Sequence, residues 1–344
     1  MHINEIISGI QNVDSKAYTA CIEHFNQVAK PIGSLGKLEG LLANIAAITG
    51  SADIDISRKA VIVYCSDNGV VNRGVAQHGF EVTTAVAGFL LKGKASVSVM
   101  AKSCGADVFA VDVGMVDTVD GLQSAKLMNG TNDITKHPAM SRETVEKAIN
   151  IGINTVRKLK SKGYHIIATG EAGIGNTTTS SAICTILLNR PVHEVTGRGA
   201  GLDDAGLCRK ITAIEQAIRF NQPDPADPLD VLHKVGGLDI AALTGVFLGG
   251  ALYRIPIVMD GFISSAAALS AVRICSFVRD YILPSHVSNE PGALFLMNEL
   301  GFSPVIHADM HLGEGTGAVA LFPLLDMALA VYRDAATYAD IQIG

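Results

Sequence analysis

Four short runs of apolar, largely β-branched residues, each closing on an acidic or glycine turn, limit what this chain can fold into more than any other feature. They are Lys59–Asp67 (KAVIVYCSD), Ala106–Gly114 (ADVFAVDVG), Tyr164–Gly170 (YHIIATG) and Arg254–Gly261 (RIPIVMDG). A strand without a polar face is buried on both sides, which points to a parallel sheet covered by helices. Helical periodicity fills the gaps. Ser141 can cap a helix whose apolar positions Val145, Ile149, Ile153, Val156 and Leu159 share one side, and Gly163 ends it. Thr178–Leu188, the series Leu207, Ile211, Ile214 and Ile218 before the proline-rich Gln222–Pro228, and Phe262–Val278 supply further helices. The fold class is α/β, a doubly wound, mostly parallel sheet.

The chain ends differ from the middle. Residues 1–56 are helical in pattern, with Leu38, Leu41, Leu42, Ile45 and Ile48 on one face, and so is the segment from about Val319. This predicts a sheet domain over 57–318 and a smaller helical domain built from both chain ends, 1–56 with 319–344. The net charge of −6 argues against a nucleic-acid binder, which needs a basic surface. The apolar stretches Ile240–Tyr253 and Gly261–Val272 are interrupted by Arg254 and Asp260, and each is shorter than the ~20 residues of a bilayer helix. No secretory signal is visible at Met-His-Ile-Asn-Glu. Cys21, Cys65, Cys104, Cys184, Cys208 and Cys275 lack paired spacing, which suits buried thiols in a reducing cytoplasm.

In an open parallel sheet, ligands bind beyond the carboxyl ends of the strands. Asp67-Asn68-Gly69, Asp112-Val113-Gly114, Gly170-Glu171 and Asp260-Gly261 all stand at such ends. The run Gly170–Ser181 (GEAGIGNTTTSS) leads from a strand through a glycine turn into a helix start rich in hydroxyls. It reads either as a cradle for one phosphate, with Glu171 at its lip, or as a tight turn and helix cap. No Lys-Ser/Thr pair follows the glycines and the G-x-G-x-x-G spacing is absent, so it is neither a Walker nor a dinucleotide fingerprint. Gly197–Asp204 (GRGAGLDD), followed by Arg209-Lys210, reads as a phosphate-facing turn with a nearby cation or as a flexible loop. His311–Ala318 (HLGEGTGA) sets Glu314 between two glycines, as a general base close to a ligand or as a surface turn. His307 and His311 are four apart but lack H-E-x-x-H, so no metal site follows.

Taken in order, KPIGSLGKLE (30–39), GEAGIGNTT (170–178), KVGGLDIAALTG (234–245), VMDGFIS (258–264), PSHVS (284–288) and LGEGTGA (312–318) resemble the nicotinate-nucleotide–dimethylbenzimidazole phosphoribosyltransferases. The resemblance runs from about Lys30 to Phe322. It implies a homodimeric enzyme with small-molecule substrates and no cofactor or metal. Such an enzyme moves ribose phosphate from nicotinate mononucleotide to 5,6-dimethylbenzimidazole, giving α-ribazole 5′-phosphate and nicotinate. It further implies Glu314 as general base, with Glu171, Gly173, Asn176, Thr177, Lys210, Ser288, Gly313 and Gly315 on the nucleotide. His78, Val86, Ala172 and Ile174 are implied on the base.

Two departures bear on the base. Asn68 follows Asp67 where the family has histidine, and His78 and Val86 stand where it carries serine and glutamine. They leave open dimethylbenzimidazole, another benzimidazole, a purine or a phenolic as acceptor. The alternatives from other classes are a non-catalytic nucleotide or corrinoid-precursor binder and an NAD(P)-dependent oxidoreductase.

Overall fold

Buried strands with crossover helices pair side by side, and these form one sheet. A computed structural model describes residues 2–341. Its strands are β1 (Lys59–Ser66), β2 (Ala106–Gly114), β3 (Gln123–Ser124), β4 (Ile166–Ala172), β5 (Ile257–Met259) and β6 (Ile282–Pro284). They lie in the order β3-β2-β1-β4-β5-β6, and every pairing is parallel. The chain leaves β1 to one side for β2 and returns on the other side as β4. Their carboxyl ends therefore diverge into the crevice where this topology holds ligands.

Alternation along β1 explains why both faces are covered. Ala60, Ile62 and Tyr64 enter one apolar cluster with the helices Arg142–Ser161, Asn176–Leu188, Leu238–Tyr253 and Phe262–Ile274. Val61, Val63 and Cys65 enter the other, with Ser15–Gln27, Lys37–Thr49, Glu81–Leu91, Ser96–Ser103 and Thr316–Asp334.

The helix Arg142–Ser161 follows its sequence pattern. Ser141 accepts from the Thr144 N–H at 3.1 Å, the five apolar positions are buried, and Gly163 takes a φ of 82° past the end. It lies directly on Leu238–Tyr253. A Cβ at Gly152 would stand 2.1 Å from the Ala242 carbonyl oxygen, and one at Gly245 would stand 2.0 Å from that of Ile149. The backbones touch there, and only glycine fits.

Elsewhere the boundaries move. β4 begins at Ile166 and runs on to Ala172. The run at 254–261 keeps only Ile257–Met259 as strand, because Arg254 closes the preceding helix in the left-handed region (φ 52°). The helix expected to Val278 stops at Ile274, and a 3-10 turn, Ser276–Tyr281, takes over. Cys208 is exposed and Cys104 half-buried, so burial holds for the other four of six free thiols.

The chain ends meet. Val28 bridges Thr337, and the Tyr338 N–H donates to the Gln27 carbonyl at 2.9 Å. Ser15–Gln27, Lys37–Thr49 and Thr316–Asp334 share an apolar cluster with one sheet face, whereas Ile6 and Ile10 enter the cluster on the other. By length and composition Thr316–Asp334, 19 residues, could cross a membrane, and 56% of its most apolar 18-residue stretch is buried inside the protein. The helix expected from about Val319 thus begins three residues earlier, at Thr316.

Candidate active site

Beyond the carboxyl ends of β1, β4 and β5 lies a cleft. One wall is the turn after β4. Gly173–Gly175 leads into Asn176–Leu188, whose first turn has no side-chain cap of its own. The Asn176 and Thr178 N–H groups bond back to the Gly173 and Gly175 carbonyls, and the helix start offers its partial positive charge to an anion. The turn is clamped from two sides: Asn68 donates to the Ile174 carbonyl, and the Ile174 N–H donates to the Thr83 hydroxyl, each at 3.1 Å.

Glu171 and Asp239 share the donor Asn176, whose amide nitrogen reaches Glu171 and stands 2.9 Å from Asp239. Burial, then the Asp239 charge, push Glu171 up to about 8, and burial pushes Asp239 up to about 6. Two buried carboxylates around one amide favour keeping a proton between them.

The loop carrying Glu314 forms another lip, resting on the end of β4. Gly313, Glu314 and Gly315 have φ values of 87°, 61° and 95°, so a non-glycine residue is held left-handed between two glycines. Gly170 lets the loop rest on β4, since a Cβ there would stand 2.3 Å from the Glu314 carbonyl oxygen. Glu314 is half-buried, lines the cleft, and accepts from the Val97 N–H at 3.1 Å, in the first turn of Ser96–Ser103.

A third wall is apolar: Val75, Val82, Val86, Ala172 and Ile174. Gly199 and Ala200 from the second glycine turn close the remaining side, and Arg198 and Ser288 also line it.

The structure thus brings Glu171, Ala172, Gly173, Ile174, Asn176, Thr177, Val86, Ser288, Gly313 and Glu314 to one cleft. Three expected residues fall elsewhere. His78 is exposed and off the wall; its neighbour Gln77 lines the cleft and donates to the Gly201 carbonyl. Lys210 is fully buried behind the wall, donating to Thr177 (2.8 Å) and to the Gly197 carbonyl (3.0 Å), and burial lowers it to about 8. Gly315 sits beneath the lip, bonded to Asp260.

Of the strand-end acids, Asp112 serves its own turn, accepting from Gly114 and Met115, while Asp260 lines the cleft. Sequence reasoning missed Asp239 and His286. Asp239 looks like an ordinary first-turn acid, and only packing turns it to Asn176. His286 stood inside the PSHVS run without a role and is a buried cleft residue.

A phosphoribosyltransferase family model matches residues 10–343. A nicotinate-nucleotide–dimethylbenzimidazole phosphoribosyltransferase of Ruminiclostridium cellulolyticum is 45% identical, covering 100% of this chain and 98% of its own. The chain belongs to the phosphoribosyltransferase family. The enzyme of the same name from Acetivibrio thermocellus is 46% identical over 92% of this chain and 90% of its own. The crystal structure of CobT from Thermus thermophilus superposes with a TM-score of 0.90 at 34% identity, covering 96% of this chain and 99% of that one. The family match therefore takes in the sheet, the cleft loops and both helical ends.

Proposed function

We propose that this chain transfers the phosphoribosyl group of nicotinate mononucleotide to 5,6-dimethylbenzimidazole or a related base, releasing nicotinate and α-ribazole 5′-phosphate. The observation that carries the reading is Glu314, a carboxylate on one lip of a cleft whose other lip is an uncapped helix start. The named relatives support the same pair of substrates.

The chemistry suits so spare a site. The pyridinium leaving group already bears positive charge, so its departure needs no general acid. Glu314 takes the N–H proton of the incoming benzimidazole, and the other ring nitrogen attacks C1′. The C1′–pyridinium bond breaks with its electron pair passing to the departing nitrogen. Attack from the opposite face inverts the anomeric carbon. Thr177 and the helix start hold the phosphate, with Lys210 behind Thr177. The apolar wall at Val75, Val82, Val86 and Ile174 receives the flat, methylated ring. Positioning of two reactants across C1′ supplies much of the rate.

The reading extends to a cytoplasmic homodimer, checked by light scattering. It also takes the helical ends, 1–56 with 319–344, as a smaller unit on the sheet domain 57–318, supported by the pairing of Val28 with Thr337. The decisive assay incubates the protein with nicotinate mononucleotide and a panel of bases and looks for α-ribosyl phosphate products. A folded protein that releases no nicotinate with any base would sink the proposal. Nucleotide binding without turnover would favour a non-catalytic binder.

A further inference from the structure

Glu314 holds a backbone conformation that only glycine adopts at little cost, so something must hold its peptide in place. The helix that follows, Thr316–Asp334, starts at Gly315 and has no cap of its own. Asp260 supplies one from a distant part of the chain. Its Oδ2 accepts from the Gly315 N–H and its Oδ1 from the Ala318 N–H, each at 3.1 Å. The first of these N–H groups belongs to the peptide bond that leaves Glu314. The bond therefore fixes the rotation of Glu314 about its own carbonyl, while the Glu314 N–H faces Glu171 on the other side.

Asp260 is itself anchored. Its N–H donates to the Thr169 hydroxyl at 3.2 Å, and Ser264 donates to the same hydroxyl at 2.9 Å, so it is tied to β4 as well as β5. It is 3% exposed. The ionisable groups facing it are His286, with Nδ1 4.0 Å from Oδ1, and the carboxyl of Glu171. His286 lies under the first turn of the helix, where a Cβ at Gly317 would stand 1.9 Å from its Nδ1.

We propose that Asp260 is the positioning residue of the Glu314 loop, locking the left-handed peptide that aims the carboxylate into the cleft. The proposal rests on the reading of Glu314 as general base. Asp260 acts through backbone, so its contribution passes through Glu314 and through no bond to the substrate. Asparagine at 260 keeps the size but opposes one of the two N–H donors with an N–H of its own.

The test compares Asp260→Asn, Glu314→Gln and the double variant. Asp260→Asn is expected to lower kcat by about tenfold or more while both KM values stay within about threefold. In the Glu314→Gln background it is expected to lower the residual rate no further, which a merely structural role would not produce. An equal loss in both backgrounds, or a normal kcat in Asp260→Asn, overturns the proposal. Amide exchange in the ligand-free wild-type chain gives a readout that needs neither variant nor activity. Gly315 and Ala318 should be protected, and exchange there at exposed-loop rates overturns the lock. A wild-type protein that makes no product refutes the enzyme reading instead, and a fully active Glu314→Gln refutes the base. Protection at Gly315 and Ala318 distinguishes both of these failures from failure of the lock.

Discussion

The ammonium of Lys210 lies 2.8 Å from the hydroxyl of Thr177, a residue of the cleft, and 3.0 Å from the Gly197 carbonyl at the start of the second glycine turn. Lys210→Met leaves the Thr177 hydroxyl and the Gly197 carbonyl without their donor, loosening the turn on the phosphate side. The nucleotide KM is expected to rise about tenfold or more, with a smaller change in kcat. Because burial lowers Lys210 to about 8, the wild-type nucleotide KM should also climb above about pH 8, and that climb should vanish in the variant. Steady-state kinetics across pH for both proteins checks this.

Glu314→Gln keeps the shape of the lip and the hydrogen bond from Val97 but removes the proton acceptor. Turnover is expected to fall by about a hundredfold to ten-thousandfold. Calorimetric titration should show nucleotide and base binding within about threefold of wild type.

The carboxyls around Asn176 give a pH signature in stability. Glu171 is raised from 4.5 to about 8 and Asp239 from 3.8 to about 6. The folded chain therefore binds protons that the unfolded chain has released. Stability from this source is complete below the unfolded values and is lost as pH rises through the folded ones, with a slope of ~1.4 kcal/mol per pH unit per proton. His286, which burial disfavours from charging, tilts the other way near its ordinary range. The readout is thus the difference between wild type and Glu171→Gln. Urea denaturation from pH 5 to 8 should show wild type losing stability relative to the variant; parallel curves would contradict the shared proton.

At the crossing of Arg142–Ser161 with Leu238–Tyr253, an added methyl meets backbone rather than a movable side chain. Gly152→Ala and Gly245→Ala should each cost ~1–3 kcal/mol or more in denaturant unfolding. Both lie away from the cleft, and the KM values should be preserved.

The long strands and the Ser141 helix were legible because burial on both faces and a one-sided stripe leave opposite marks on sequence. β3 and β6, at two and three residues, carry no period to read. Glu171, Asn176 and Glu314 were legible because strand ends and glycine turns announce them. The depth of Lys210 was not legible, because spacing gives no sign of burial and a buried ammonium looks like a surface one in sequence. His78 and Gln77 differ by one position on a loop, and only loop shape decides which faces the cleft. The Asp260 bonds to Gly315 and Ala318 link residues more than fifty positions apart, beyond any local pattern.

The bonds from Gly315 and Ala318 to Asp260 also set an order of assembly. The strands and the glycine turn leave the ribosome first, so the cleft's floor can form before its base exists. The Glu314 loop follows later in the chain, and it reaches its working shape only when Thr316–Asp334 has settled against a sheet already holding Asp260 in place. A chain cut short before that helix would keep Glu314 in its sequence and lose the geometry that makes it useful. Activity therefore reports on the docking of Thr316–Asp334 as much as on the presence of Glu314.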